Sequence, residues 1–144
     1  MILRDNPHCI EINLDFKVEP KGSIIKFGRN YVDRSKDNHD TLTKLIQYEP
    51  IHKFGVNRKA NFALFATFQG NYRKGGNDID KLLRNLFDAL TKAKLIYDDS
   101  YITTVSATRV VTRDKVDESV YFMLSVLDEE VTNAKLNTCP SLNN

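Results

Sequence analysis

The chain has 144 residues, of which 41% are hydrophobic and 28% are charged. This length favours one domain, and the composition is typical of a globular protein rather than a disordered or fibrous one. No apolar run approaches the ~20 residues of a membrane-spanning helix, so we expect no membrane contact. Cys9 and Cys139 are the only cysteines, which favours a reducing cytoplasm over a disulfide-stabilised secreted fold.

The net charge of +2 hides an uneven distribution along the chain. Residues 1–113 hold 19 basic and 13 acidic side chains, whereas residues 114–144 hold 2 basic and 6 acidic ones. A basic body with an acidic end is compatible with polyanion binding, although an ordinary solvated surface gives the same pattern.

The first third of the chain predicts one strand, a basic connection and a short helix. Residues 9–18 alternate apolar and polar side chains, which is the pattern of a half-buried strand. Residues 17–36 carry a net charge of +4 and are interrupted by proline and glycine, which indicates a loop or hairpin. Residues 41–48 place apolar side chains on one face and end before a proline, which predicts a helix.

The middle and last thirds predict three strands and a long helix. Residues 61–68 are nearly all apolar, so we expect a central strand of a sheet. Residues 78–94 carry one apolar stripe at helical spacing and form the clearest helix of the chain. Two strands follow at about 101–111 and at 116–127, and these two can form a hairpin.

Strands outnumber helices in this order of elements. We therefore expect an α+β fold, a two-layer domain with the helices on one face of a mixed sheet. This domain is expected to cover residues 1–131, and residues 132–144 are expected to form a flexible tail.

Four carboxylates flank the long helix. Asp78 and Asp80 stand at its start, and Asp98 and Asp99 follow its end. Carboxylates that crowd together repel one another unless a cation neutralises them, and oxygen ligands without His or Cys suit Mg²⁺ or Mn²⁺. The strand after Asp99 can pair beside the strand that leads into Asp78, which allows the carboxylates to meet, and a second subunit would make this easier. Such a site predicts hydrolysis of a phosphodiester.

Simpler interpretations of these residues stay open. The pair at the helix start can serve only as a cap and a first-turn acid. The pair after the helix can form an ordinary turn. Asp88, in the middle of the helix, is expected to be solvated and to pair with Lys92 one turn later.

Three pieces of the sequence resemble the signature of the RusA family of Holliday-junction resolvases. They are Asp78-Ile-Asp80-Lys-Leu-Leu-Arg84, Phe87-Asp-Ala-Leu-Thr-Lys-Ala93 and Ile96-Tyr-Asp-Asp-Ser-Tyr-Ile102. The close match covers residues 78–102, and the order of elements agrees through the rest of the chain. The resemblance implies a homodimeric, Mg²⁺-dependent endonuclease that binds four-way DNA junctions and cuts two opposing strands symmetrically, in DNA recombination and repair.

Position by position, the resemblance places the essential carboxylates of the family on Asp78, Asp80 and Asp99, with Asp98 beside them. These four residues are the expected ligands of Mg²⁺, for which Mn²⁺ can substitute. The catalytic lysine of the family falls on Arg84. An arginine can hold the scissile phosphate, but it does not easily donate a proton, so activity survives only if the family lysine acts through its charge.

The expected DNA contacts are basic residues in the first loop region and near the start of the long helix. They are Lys26, Arg29, Arg34, Arg73, Lys74 and Lys81. Lys81 stands where the family has an asparagine, and Gly75-Gly76-Asn77 stand where family members often have basic residues. Contacts with DNA phosphates would make binding strongly dependent on salt.

Two other functions stay open. The chain can be a junction- or branched-DNA-binding protein with weak or no cleavage, because Arg84 replaces the family lysine. It can also be a structure-selective nuclease that prefers flaps, forks or duplex ends.

Overall fold

The computed structural model describes residues 1–22, 24–72 and 79–129. Within these ranges the strands are β1 (Ile2–Asn6), β2 (Cys9–Leu14), β3 (Ile24–Phe27), β4 (Asn30–Asp33), β5 (Ala60–Gly70), β6 (Ile102–Val111) and β7 (Ser119–Glu129), and the α-helices are α1 (Arg34–Gln47) and α2 (Ile79–Lys92). The expected tail, 132–144, lies outside the described residues. Neither helix is long and apolar enough to cross a membrane.

Five strands form a mixed sheet in the order β1-β2-β7-β5-β6, and β3 with β4 forms a separate hairpin. Strand β5 runs parallel to β6 and antiparallel to β7, and the other neighbours are antiparallel. The predicted α+β class with a mixed sheet is therefore confirmed. The apolar run at residues 61–68 lies within β5, inside the sheet, as its composition predicted.

The predicted hairpin between the last two strands is wrong, because β5 lies between β6 and β7. The long apolar strand β5 needs a partner on each edge, since an unpaired buried N–H or C=O group is costly. Strand β1 has no predictive pattern, because it is a short edge strand with polar residues. Helix α1 begins at Arg34 rather than at residue 41, since its first two turns are polar and show no apolar stripe.

Both helices cover one face of the sheet and share one hydrophobic core with it. The buried residues of β5 and α2 in this core include Phe62, Leu64, Ala66, Phe68, Leu82, Leu86 and Leu90. On the opposite face of β5, Phe65 is 40% exposed. Phe87 on α2 is half-buried and packs against this core.

The unit β5-α2-β6 decides where the candidate site residues lie. The predicted pairing of the strand after Asp99 with β5 is confirmed, and the register runs from Phe62 opposite Ile102 to Gly70 opposite Val111. Because β5 and β6 are parallel, α2 must return from the carboxyl end of one strand to the amino end of the next. The 14 residues of α2 span about 21 Å, so the two ends of the helix lie near opposite ends of the strands.

Candidate functional site

The acidic pair at the start of α2 is described in part. Asp78 lies outside the described residues. Asp80 is exposed in the first turn of α2, where the helix dipole favours a negative charge. It forms no ion pair with another described residue, so its carboxylate is accessible to a ligand.

Asp98 and Asp99 lie together just before β6. Asp98 caps a single turn of 3-10 helix, Asp99–Tyr101: its Oδ1 accepts a hydrogen bond from the N–H of Asp99 at 3.0 Å, and its Oδ2 accepts one from Oγ of Ser100 at 2.6 Å. The turn interpretation is therefore confirmed for Asp98. Its carboxylate has a structural role whether or not it also binds a metal.

Asp99 lies in a region of crowded negative charge. Partial burial raises the pKa of Asp99, and the carboxylates of Asp98 and Asp88 raise it further, while the ammonium group of Lys21 opposes them. Asp88 on α2 forms its ion pair with Lys21, so the expected pairing with Lys92 is wrong. A cation at Asp99 would relieve this repulsion.

Within one chain the structure does not bring Asp80 next to Asp98 and Asp99. Asp80 lies at the carboxyl end of β5, whereas Asp98 and Asp99 lie at the amino end of β6, and the length of α2 separates them. In ranges 1–22, 24–72 and 79–129, no three Asp, Glu, His or Cys side chains are placed to hold one metal ion. A site of three or four carboxylates therefore needs a contribution from outside these residues.

Arg84 and Lys81 are exposed on the outer side of α2. Arg84 follows Asp80 by four residues, so the two side chains lie on the same face of the helix. A guanidinium group beside an exposed carboxylate suits a phosphate that is held together with a cation. Lys81 is also free to meet solvent, and its carbonyl accepts a hydrogen bond from the N–H of Lys21 at 3.2 Å.

The remaining basic residues are only partly placed. Arg29 is exposed in the turn of the β3–β4 hairpin, which confirms that this basic region contains a hairpin. Lys26 lies on β3 and Arg34 is the first residue of α1; the structure describes the backbone at these two positions and not the side chains. Arg73 and Lys74 lie outside the described residues.

Sequence patterns did not single out a buried polar network between α1 and α2. Asn85 is 1% exposed, its Oδ1 lies 2.9 Å from Nδ1 of His39, and its Nδ2 donates to the carbonyl of Glu19 at 2.9 Å and to Oδ1 of Asn38 at 3.0 Å. The same Asn38 oxygen accepts the N–H of Glu19 at 2.9 Å, and Nδ2 of Asn38 donates to the carbonyl of Lys17 at 2.9 Å.

Backbone groups determine the orientation of both amides in this network. Because Asn85 donates through its nitrogen, its oxygen accepts, and Nδ1 of His39 carries the proton. The signal in the sequence was a polar residue on the apolar stripe of α2, three residues after Leu82 and one before Leu86.

No protein-family model matches the chain, and no curated protein matches it. The similarity to the RusA signature therefore depends on residues 78–102 and on the order of the surrounding elements.

Proposed function

We propose that the chain is a Holliday-junction resolvase of the RusA family: a homodimeric, Mg²⁺-dependent endonuclease that cuts two opposing strands of a four-way DNA junction in recombination and repair. One observation carries the proposal. Three of the signature carboxylates lie at the two ends of α2 within a single β-α-β unit: Asp80 is exposed in the first turn of α2, and Asp98 and Asp99 lie at the entrance to β6.

The donors in this unit fit a hard divalent cation, because carboxylate oxygens are the ligands that Mg²⁺ prefers. Bound Mg²⁺ would orient the scissile phosphate and activate a water molecule as the nucleophile. Asp80 and Asp99 would hold the cation. Partial burial raises the pKa of Asp99, and the nearby carboxylates of Asp98 and Asp88 raise it further, so a cation would also relieve their repulsion. Arg84 would hold a phosphate oxygen from the same exposed face of α2.

Because α2 separates Asp80 from Asp98 and Asp99 in one chain, our proposal is that these carboxylates meet across a dimer. A two-fold axis that places the Asp99 end of one chain against the Asp80 end of its partner would create two equivalent sites. Two such sites match the two strands that must be cut in a four-way junction.

Strand β6 offers an edge for this dimer. In the described part of the chain nothing pairs with its outer edge. Natural edge strands use charged residues and proline to prevent association, and β6 holds one charged residue, Arg109, and no proline. Val105, Val110 and Val111 on this strand are 42%, 37% and 41% exposed. Antiparallel pairing of two β6 strands would bring Asp99 of one chain to the carboxyl end of β6 in the second chain. Asp80 of that second chain lies at the same end of the strands.

Cleavage of a labelled synthetic four-way junction in Mg²⁺ tests the proposed function. Linear duplex, flap and fork substrates serve as comparisons. Asp37→Asn is the matched control for Asp80→Asn, because it removes an acid from the first turn of the other helix. We expect symmetric paired cuts in the junction alone, unchanged in Asp37→Asn and reduced about 100-fold or more in Asp80→Asn. Equal cutting of flaps or duplex ends would contradict junction specificity.

Mixed dimers test the shared site. Asp80→Asn and Asp99→Asn are each expected to be inactive. When the two variants are co-expressed, half of the dimers combine one copy of each, and one site in such a dimer keeps both carboxylates. About one quarter of all sites should regain function. If no activity returns in purified mixed dimers, the carboxylates are not shared between chains.

Arginine at position 84 favours a second candidate, a branched-DNA-binding protein with little or no cleavage. Junction binding without cuts, in Mg²⁺ and Mn²⁺ alike, would support it. Restoring the family residue with Arg84→Lys then separates the two functions. A large gain in cleavage would show that the lysine acts as a proton donor, and wild-type activity equal to that of Arg84→Lys would show that charge suffices.

A further inference from the structure

Arg109 is a basic residue on the covered face of the sheet. It lies on β6 opposite Phe68 of β5, and Phe68 belongs to the core that the helices cover. Register partners on neighbouring strands share a face of the sheet, so the side chain of Arg109 leaves β6 on the side of the helices. Ala107, two residues earlier on the same strand, packs against that core. A guanidinium group on this face calls for an explanation, because charged groups are rarely buried without a partner.

The guanidinium group of Arg109 has no counter-charge in the described part of the chain. Its Nη1 is shielded from solvent and donates no hydrogen bond to a described residue. No ion pair between described residues involves Arg109. The residue as a whole is partly exposed, and Nε and Nη2 are not shielded in the way that Nη1 is, so an anion can reach the group from outside. A half-buried positive charge without a partner is costly to the free protein.

The acids nearest to this group do not pair with it. Burial raises the pKa of Tyr72, the carboxylates of Glu19 and Glu118 raise it further, and the guanidinium group of Arg109 lowers it, so these charges surround one phenol hydroxyl. Glu19 lies 3.5 Å from Nζ of Lys17, its ion-pair partner. Glu118 forms no ion pair with Arg109. The described part of the protein therefore leaves the counter-charge of Arg109 to be supplied from outside.

Arg109 lies at the same end of the strands as Asp80. The register of β5 and β6 ends at Gly70 opposite Val111, two residues beyond Arg109. Asp80 lies in the first turn of α2, which follows the carboxyl end of β5, and α2 packs against β6. An anion held by Arg109 would therefore lie at the Asp80 end of the β-α-β unit.

We propose that the guanidinium group of Arg109 binds a phosphodiester group of the DNA backbone. The proposal rests on the proposed function in one respect: the phosphodiester belongs to the bound junction. A guanidinium group presents N–H donors in a planar fork that matches two oxygens of a phosphate. A phosphodiester also supplies the negative charge that Arg109 lacks. Arg109 is then a positioning residue, which holds the strand at the Asp80 end of the site and takes no part in the cleavage step.

The stability of a variant tests whether Arg109 lacks a partner inside the protein. Arg109→Met keeps the apolar stem of the side chain and removes the guanidinium group. We expect its midpoint in urea to equal or exceed that of wild type, because an unpaired charge is removed from the covered face. A clearly lower midpoint would show that Arg109 has an internal partner and would overturn the proposal.

NMR of the wild-type protein tests anion binding without a junction or cleavage. A dinucleoside monophosphate, which carries one phosphodiester and no terminal phosphate, is added while the arginine Nε–H signals are followed. Arg113, an exposed residue four positions later, serves as the internal reference. We expect the signal of Arg109 to shift in a saturable manner that Arg113 does not share. Equal or absent responses of the two arginines would contradict a phosphodiester site at Arg109.

Junction affinity tests the source of the phosphodiester. Arg109→Met is compared with Arg113→Met, which removes the same charge from an exposed position beyond β6. We expect Arg109→Met to bind the junction about tenfold more weakly, and the slope of log affinity against log salt to fall by about 0.9 for the one phosphate that is no longer neutralised. Arg113→Met should bind like wild type.

The outcomes separate this proposal from the proposed function. If wild type binds and cuts the junction while Arg109→Met and Arg113→Met bind it equally well, Arg109 holds no DNA phosphate and only this proposal is overturned. If wild type binds no junction while Arg109 still responds to the dinucleoside monophosphate, the phosphodiester site stands and the proposed function fails.

Discussion

Replacing Asn85 by alanine should destabilise the fold strongly, because Asn85 connects both helices to the chain before β3. Its side-chain amide is buried and makes three partly buried hydrogen bonds, to His39, Glu19 and Asn38, at 2.9, 2.9 and 3.0 Å. Each such bond contributes about 1 kcal/mol net, and more when its loss leaves a buried group without a partner. Alanine recovers about 0.6 kcal/mol through its higher helix propensity. We therefore expect a loss of about 3 kcal/mol in the free energy of unfolding.

Equilibrium urea unfolding measures this loss. The chain has no tryptophan, so far-UV circular dichroism and tyrosine fluorescence are the suitable probes. For a domain of this size the loss corresponds to a fall in Tm of about 9 °C. Lys81→Ala, an exposed change one turn earlier on α2, is the control and should stay within about 0.5 kcal/mol of wild type.

A near-isosteric variant separates hydrogen bonding from packing. Asn85→Asp keeps the size of the side chain but loses both donors, and it places a carboxylate against the oxygens of Glu19 and Asn38. It should be at least as destabilising as Asn85→Ala near neutral pH. If Asn85→Ala and Asn85→Asp both unfold within about 0.5 kcal/mol of wild type, the network does not contribute to stability and the reasoning is wrong.

Other contacts give three further predictions. Burial alone would raise the pKa of Asp5, but hydrogen bonds from the N–H groups of residues 52–54 outweigh burial and lower the pKa. Asp5→Asn should therefore destabilise the protein near pH 7. The urea midpoints of the variant and of wild type should converge as the pH falls through the folded-state pKa of Asp5. Tyr72→Phe removes a buried hydroxyl that donates to a main-chain carbonyl at 2.8 Å and should cost about 1 kcal/mol in the same assay, whereas no loss would contradict this bond. Ser106→Lys, at the middle of β6, should convert the expected dimer to a monomer in sedimentation. Tyr48→Lys, at an exposed position outside β6, should leave the dimer intact. A dimer in both variants would exclude pairing through the edge of β6.

Local patterns determined much of the fold from the sequence. The apolar run of β5 and the stripe of α2 were predicted within two residues at each end, because burial on a strand or helix leaves a repeating signal along the chain. The first turns of α1 were missed because contacts from other segments hold them: Ser35 accepts a hydrogen bond from the N–H of Gly22 at 3.0 Å. Strand β1 was missed for the same reason, since its signal lies in its pairing with β2.

The candidate site likewise combines features that the sequence predicted with features that only the tertiary structure decided. Sequence spacing alone singled out Asp80, Asp98 and Asp99, since these residues stand at recognisable boundaries of α2 and β6. The distance between Asp80 and the Asp98–Asp99 pair depends on strand direction. Because β6 is parallel to β5, α2 is a crossover helix whose two ends lie near opposite ends of the strands. Likewise, Asn85 and His39 are 46 residues apart and meet only because α1 packs on α2. Residue types and local periodicity are carried by short stretches of chain, whereas distances between such stretches are set by the packing of the whole domain.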